Sequence, residues 1–109
     1  MKTIVEFLMQ KGKLFAKLSR VENRKLQTRK QIEIYFGVDT KRYYHTVVYS
    51  TQKSRLLQKD ADAFIAINEN MQRLKECVIK KKILLVKGSI CSSARMNLQK
   101  AGWRVYDFS

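Results

Sequence analysis

The chain has 109 residues, and 23 lysines and arginines against nine aspartates and glutamates give it a formal net charge of +14. Hydrophobic residues make up 45% of the sequence, which excludes a disordered tail and suffices for the core of one domain. No stretch approaches the roughly 20 apolar residues that span a bilayer, so we expect a cytoplasmic protein without a transmembrane segment. Because so large a positive excess repels itself, a polyanionic partner is expected: nucleic acid first, then an acidic protein, then an anionic membrane surface.

The first region, residues 1–30, is predicted to be helical and basic. Gly12 can interrupt the helix, and alternating apolar residues allow a short strand at Lys13–Leu18 instead. Apolar residues at three-to-four spacing favour the helix, and they are Ile4, Phe7, Leu8, Leu14, Phe15, Leu18 and Val21.

The stretch Gln31–Ser50 predicts a β-hairpin, because two runs of alternating β-branched and aromatic residues flank Asp39 and Thr40. A two-residue turn there would place Tyr35 opposite Tyr44 and Ile34 opposite His45. In that register His45 lies on the more apolar face of the hairpin. A change of one residue in the turn would move His45 to the other face.

The rest of the chain predicts a helix over residues 54–78, capped by Ser54 or Asp60, and then a strand, a short helix and a strand over residues 82–108. Ser92 or Ser93 can cap the short helix, and Gly102 can close it. The expected fold is a single α/β or α+β domain of order α-β-β-α-β-α-β. Its mixed sheet of about four strands carries helices on its faces.

Motifs for metal binding or catalysis are weak. One histidine and two separated cysteines cannot form a zinc site, and no cofactor is predicted, although carboxylates alone can hold magnesium. Cys91 precedes a helix and is better explained as a small buried residue than as a nucleophile. Phosphate binding at the same helix start, by Ser92, Ser93 and Arg95, is less well supported than simple capping.

A metal-dependent nuclease is the enzymatic alternative. Asp39-Thr40-Lys41 has the D-x-K form found in the nuclease motif of the restriction-endonuclease-like fold, and Glu33 or Glu22 would supply the further acid. A ribonuclease using His45 as general base would need a second acid or base, and the sequence has no second histidine. A basic protein-interaction module, neutralised by an acidic partner, is the second alternative.

The leading hypothesis is a nucleic-acid-binding domain that acts through an electropositive surface without an assigned catalytic step. Tyrosine and arginine can stack on bases while lysine and arginine hold phosphates. The predicted contact residues are Arg20, Arg24, Lys25, Arg29, Lys30, Tyr35, Lys41, Arg42, Tyr44, Lys53 and Arg55.

Overall fold

The computed structural model describes residues 4–10, 12, 14–26 and 32–107. Helices and strands follow one another in an order close to the predicted one, with one additional strand near the N-terminus. The elements are α1 (Ile4–Gln10), β1 (Phe15–Val21), a 3₁₀ turn (Asn23–Leu26), β2 (Ile32–Asp39), β3 (Tyr44–Ser50), α2 (Gln58–Lys75), β4 (Lys81–Val86), α3 (Ser92–Lys100) and β5 (Trp103–Asp107).

The five strands form one mixed sheet in the order β1-β2-β3-β4-β5. Strand β2 is antiparallel to both neighbours, whereas β3, β4 and β5 are parallel and are connected through α2 and α3. The predicted single α+β domain with a mixed sheet is confirmed, with five strands instead of about four. Among the described residues, no helix is long and apolar enough to cross a membrane.

The direction of β2 gives the sheet two different ends. At one end, β2 finishes and the other four strands begin; we call it the turn end, formed by residues 12, 14–15, 39–44, 78–82 and 102–104. At the other end, β2 begins and the other strands finish; we call it the far end, formed by residues 20–26, 32–33, 50–57, 86–95 and 107.

Helices cover both faces of the sheet because successive strand side chains point to opposite faces. On one face, α2 and α3 bury Phe64 and Leu98 against Ile34, Val48 and Leu84. On the other face, α1 packs onto the middle of the sheet, and the buried residues there are Phe7, Leu8, Val47, Ile83 and Leu85. The result is a three-layer domain whose sheet is apolar on both sides.

The prediction of a helix through residues 1–30 is wrong over Phe15–Val21, where the chain forms a strand as in the alternative of a short strand at Lys13–Leu18. Gly12, with φ near 80°, follows α1, and Phe15–Val21 pairs with β2. The pairing register between β1 and β2 shifts between Phe15 and Lys17, and this irregularity gives the apolar residues of β1 a spacing that resembles a helix. This bulge lets Phe15 and Leu18, three residues apart, pack against the same cluster on the α1 face.

The long helix is shorter than predicted at both ends. Leu56 pairs with Ile90 in an isolated bridge, which keeps the preceding chain extended, and α2 starts only at Gln58. Leu57, and neither Ser54 nor Asp60, occupies the cap position; Asp60 lies in the first turn, where its carboxylate accepts a hydrogen bond from the Leu57 N–H at 2.8 Å. The helix ends at Lys75, followed by a left-handed residue with φ 53°.

The short helix α3 begins at Ser92, so neither serine is its cap. Cys91 occupies the cap position, and its Sγ accepts a hydrogen bond from the Ala94 N–H at 3.4 Å. A hydrogen bond from Ser93, followed by that of Ala94, lowers the pKa of the Cys91 thiol. Gly102, with φ near 90°, follows the end of the helix as predicted.

Candidate nucleic-acid interface

Asp39 organises the turn between β2 and β3. Its Oδ1 accepts hydrogen bonds from the backbone N–H groups of Lys41 at 2.8 Å and Tyr43 at 2.9 Å. The N–H of Asp39 donates to the Tyr43 carbonyl at 3.0 Å, and Arg42 takes a left-handed conformation with φ 70°. A left-handed residue at the end of a three-residue loop is typical of such hairpins, so the turn has three residues and not the predicted two.

The longer turn changes the pairing of the hairpin and corrects the predicted face of His45. Gly37 lies opposite His45, and Tyr35 lies opposite Val47 instead of Tyr44. His45 therefore shares the α1 face with Tyr35, and Tyr44 lies on the α2 face, where its ring stacks on Phe36. The two tyrosines predicted to form one contact surface are on opposite sides of the sheet.

His45 is buried at the turn end and is bound to Asp39. Its Nε2 lies 2.9 Å from Asp39 Oδ2, and its ring packs edge-on against Phe15 with centroids 4.9 Å apart. A Cβ on Gly37 would come within 2.8 Å of the Phe15 ring, so the glycine makes room for that packing. Desolvation alone would raise the pKa of Asp39, but the hydrogen bonds from His45, Tyr43 and Lys41 outweigh it and lower the pKa.

A group of exposed cations surrounds this buried pair. We call it the turn-end cluster, and it consists of Lys41, Arg42, Lys80, Lys81 and Arg104. Three adjoining cavities bring its members together, with volumes of about 640, 270 and 160 Å³. Lys81 lines all three cavities, and Lys80 lines the first and the third. Among the residues that the structure describes, none of the five cations forms an ion pair with a carboxylate.

Two tyrosines lie within the turn-end cluster. Tyr43 is 55% exposed and Tyr44 is 42% exposed, and both line the largest cavity. Lys81 Nζ lies 5.3 Å from the centroid of the Tyr43 ring, which is within the range of a cation–π contact. Aromatic and basic side chains thus alternate over one continuous surface.

Lys82 is adjacent to this cluster but is engaged within the fold. Its Nζ donates a hydrogen bond to the Ala101 carbonyl at 2.7 Å, and burial lowers its pKa. A Cβ on Gly102 would meet the Lys82 ammonium group at 3.1 Å. Lys82 therefore links the start of β4 to the end of α3.

The predicted contact residues other than Tyr35 separate into three groups. Lys41, Arg42 and Tyr44 lie at the turn end, whereas Arg29 and Lys30 lie outside the described residues. The remaining predicted cations are exposed at the far end: Arg20, Arg24, Lys25, Lys53 and Arg55.

Several far-end arginines are paired with carboxylates. The ion pairs are Arg20 with Glu33 at 3.6 Å, Arg24 with Glu22 at 2.7 Å and Arg95 with Asp107 at 3.3 Å. Arg95, a candidate for phosphate binding, is thus held by Asp107. The density of basic residues in the sequence did not distinguish these paired cations from the unpaired ones.

Tyr35, also predicted to contact nucleic acid, is partly buried and bonded to its neighbours. Its hydroxyl donates a hydrogen bond to Glu33 at 2.6 Å, and the guanidinium of Arg20 lies 5.8 Å from its ring centroid. Burial, reinforced by Glu33, raises the pKa of Tyr35 to about 12. These contacts give Tyr35 a place in the packing under α1.

The residues that sequence reasoning missed are Tyr43, Lys80, Lys81 and Arg104. A run of three lysines, Lys80 to Lys82, at the start of β4 was the visible signal. Only the parallel pairing of β3 with β4, in which His45 lies opposite Lys81, places that run beside the hairpin turn.

The acidic residues of the nuclease hypothesis do not converge. Asp39 lies at the turn end, whereas Glu33 is six residues earlier on the same strand, about 20 Å away at a rise of 3.3 Å per residue. Glu22 follows the end of β1 at the far end. In the described part of the chain, no three His, Cys, Asp or Glu side chains are grouped so that they could hold a metal ion.

Comparison with known proteins finds similarity in structure. No protein-family model and no curated protein matches the sequence. Apo EndoMS is 13% identical, with a TM-score of 0.58 over 95% of this chain and 44% of that one. The EndoMS–dsDNA2 complex is 11% identical, with a TM-score of 0.56 over 95% and 42%.

A repair endonuclease from Pyrococcus abyssi is 15% identical, with a TM-score of 0.53 over 71% of this chain and 33% of that one. These likenesses show a shared fold. The chain spans less than half the length of each of these proteins.

Proposed function

We propose that the protein binds nucleic acid through the turn-end cluster. The observation that carries this proposal is the convergence of five exposed cations around two exposed tyrosines, with no carboxylate partner for these cations among the described residues. Carboxylates that would neutralise the surface are absent from the described part of the cluster, apart from Asp39, which is engaged by His45 and the turn. A polyphosphate backbone supplies the negative charge that this surface lacks.

The net charge of +14 supports the same proposal from the whole molecule. Cations that contact phosphates release condensed counterions, and the affinity then falls with salt by about 0.7 to 0.9 log units per contact. If all five cations of the turn-end cluster contact phosphates, the slope of log affinity against log salt is about −3.5 to −4.5.

The structural neighbours add support of a different kind. One is a repair endonuclease, and EndoMS has been solved in a complex named for double-stranded DNA. Their fold is therefore used by proteins that act on DNA. Since this chain covers less than half of each neighbour, their complete activities are not transferred to it.

The test is a pair of variants with the same change in charge. We expect Lys80→Ala with Lys81→Ala to weaken binding of a labelled oligonucleotide about 25- to 60-fold at 0.1 M salt, because two phosphate contacts are lost. We expect the far-end control, Lys53→Ala with Arg55→Ala, to weaken it less than about fivefold. Fluorescence anisotropy over a salt series measures both.

Equal losses in the two variants would contradict the placement of the interface, and no binding by the wild type even at low salt would contradict the proposal. Competition by polyglutamate in the same binding assay tests the alternative that the partner is an acidic protein. We expect polyglutamate to displace nucleic acid only weakly, since it lacks bases and phosphates.

Nuclease activity is the second candidate, and the endonuclease neighbours favour it. Incubation of the protein and DNA with Mg²⁺ or Mn²⁺ tests it. Asp39 is distant from Glu33 and Glu22. We therefore expect that any observed cleavage does not require Glu33 or Glu22 to act together with Asp39. Glu33→Gln and Glu22→Gln should then leave the cleavage rate unchanged. A loss of cleavage in either variant would restore that assignment.

A further inference from the structure

We infer that the largest cavity of the turn-end cluster receives an unpaired base, so that the ligand is a single strand of nucleic acid and not a duplex. The inference rests on the proposed function and specifies its ligand. Its main observation is that Tyr43 and Tyr44 are, among the described residues, the only strongly exposed aromatic side chains, and they lie together among the cations.

The cavity has the size and lining of a base-binding site. Its volume is about 640 Å³, within the range of 300 to 1,000 Å³ found for small-ligand pockets. Tyr43, Tyr44 and Val78 supply the apolar surface, and Val78 is 70% exposed. Arg42 and Lys80 border the same space, where they can hold the phosphates on either side of a bound base.

Side-chain hydrogen bonds hold the backbone on both sides of the cavity. Asp39 holds the backbone of the turn that carries Tyr43, as its hydrogen bonds to Lys41 and Tyr43 show. On the opposite wall, the side-chain carbonyl of Gln72 accepts a hydrogen bond from the Ile79 N–H at 2.7 Å. A rigid site reduces the entropy that binding must overcome.

The chemistry of the walls distinguishes a single strand from a duplex. Duplex bases are stacked on one another, so their faces are not available to aromatic side chains, whereas unpaired bases can stack on tyrosine. A surface that contacted only phosphates would use the tyrosine hydroxyls, but it would gain nothing from the exposed ring faces or from an exposed valine. Because every base has an aromatic face, we expect binding with little preference for sequence.

The experiment compares four ligands of equal length at constant salt: an oligothymidine strand, its ribose counterpart oligouridine, an abasic deoxyribose-phosphate strand, and a duplex. We expect both base-bearing strands to bind at least about fivefold more tightly than the abasic strand and the duplex. The two base-bearing strands distinguish DNA from RNA as the source of the single strand.

Variants at Tyr43 assign the difference to the cavity. Tyr43→Leu should weaken base-bearing strands about 5- to 100-fold and leave the abasic strand unchanged, because only stacking is lost. Tyr43→Phe keeps the ring and should bind as the wild type does. An unchanged thermal unfolding midpoint for each variant excludes misfolding, which is a small risk at a side chain that is 55% exposed.

Equal affinity for the abasic and base-bearing strands, or for the duplex and the single strand, would overturn the inference and leave the proposed function intact. A uniform loss in Tyr43→Leu on every ligand would overturn it as well. Failure of the wild type to bind any of the four ligands would overturn the proposed function itself.

Discussion

The two ends of the sheet carry comparable numbers of basic residues but differ in what surrounds them. At the far end, Arg20, Arg24 and Arg95 each lie within 4 Å of a carboxylate oxygen. At the turn end, the nearby Asp39 is bound to His45 and to the turn backbone. A count of basic residues therefore shows where positive charge lies. It does not show how much of that charge can attract a ligand, because nearby acidic residues neutralise part of it.

The difference also extends to the aromatic residues. Tyr35, closer to the far end, is half-buried and hydrogen bonded to Glu33. Tyr43 and Tyr44 are exposed beside cations that have no carboxylate partner in the part of the chain that the structure describes. The same residue type serves packing in one place and is available to a ligand in the other.

The largest expected effect comes from disrupting the turn that supports the turn-end cluster. Asp39→Ala removes the acceptor of two backbone N–H groups and the carboxylate bound to the buried His45. We expect the free energy of unfolding to fall by about 2 to 3 kcal/mol. Urea denaturation measures this loss, and affinity for single-stranded DNA should fall with it, because the position of Tyr43 depends on the turn.

Thr40→Ala is the matched control, since Thr40 lies in the same turn with an exposed side chain. It should change stability by less than about 0.5 kcal/mol. If Asp39→Ala were as stable as this control, Asp39 would not be the residue that holds the turn.

A smaller effect is expected from protonation of the same carboxyl. The pKa of Asp39 is lower in the folded protein than its ordinary value of 3.8. A group of this kind stabilises the fold above its unfolded pKa, and the contribution is lost as the pH falls through the lower, folded pKa. Wild-type stability should therefore decline below about pH 4.

Asp39→Asn isolates this contribution, because the amide does not titrate. The difference in unfolding free energy between wild type and Asp39→Asn should shrink as the pH falls below the ordinary pKa of aspartate. A difference that stayed constant to pH 2 would contradict the role of the charged carboxylate.

The smallest effect should follow from making the far end resemble the turn end. Glu22→Gln with Asp107→Asn releases Arg24 and Arg95 from exposed ion pairs, which are worth little individually. We expect nucleic-acid affinity to rise by no more than about threefold. Asp62→Asn with Glu69→Gln, on the exposed side of α2, gives the same change in charge as a control.

An increase in nucleic-acid affinity above about tenfold, seen in the far-end variant but not in its control, would contradict our comparison of the two ends. It would mean that the far end is the principal binding surface and that its acids only mask it.

Much of the fold could be predicted from the sequence, because the alternating hairpin, the continuous apolar run at β4 and the helical spacing around Phe64 are each local signals. The identity of β1 could not, since its bulge places Phe15 and Leu18 at helical spacing. The hairpin register was also missed, because a three-residue turn with a left-handed Arg42 cannot be distinguished by residue type from a two-residue one.

The candidate site was predictable only in part. Lys41, Arg42 and Tyr44 were identified from the density of basic and aromatic residues near the turn. Lys80 and Arg104 were missed, because their proximity to the turn results from strand order and from the parallel direction of β4 and β5. Local patterns do not carry that information.

The assembly of the turn end from distant parts of the chain links ligand binding to folding. The turn-end cluster and its two tyrosines come from residues 41–44, 80–81 and 104, which become neighbours only when the sheet is complete. A ligand spanning these segments binds the native chain and not the unfolded one, so it raises the free energy of unfolding by about 2.7 kcal/mol at a concentration 100 times its Kd. Resistance to heat or proteolysis would thus report whether ligand occupies the surface. An isolated peptide of the hairpin would contain only part of the binding surface.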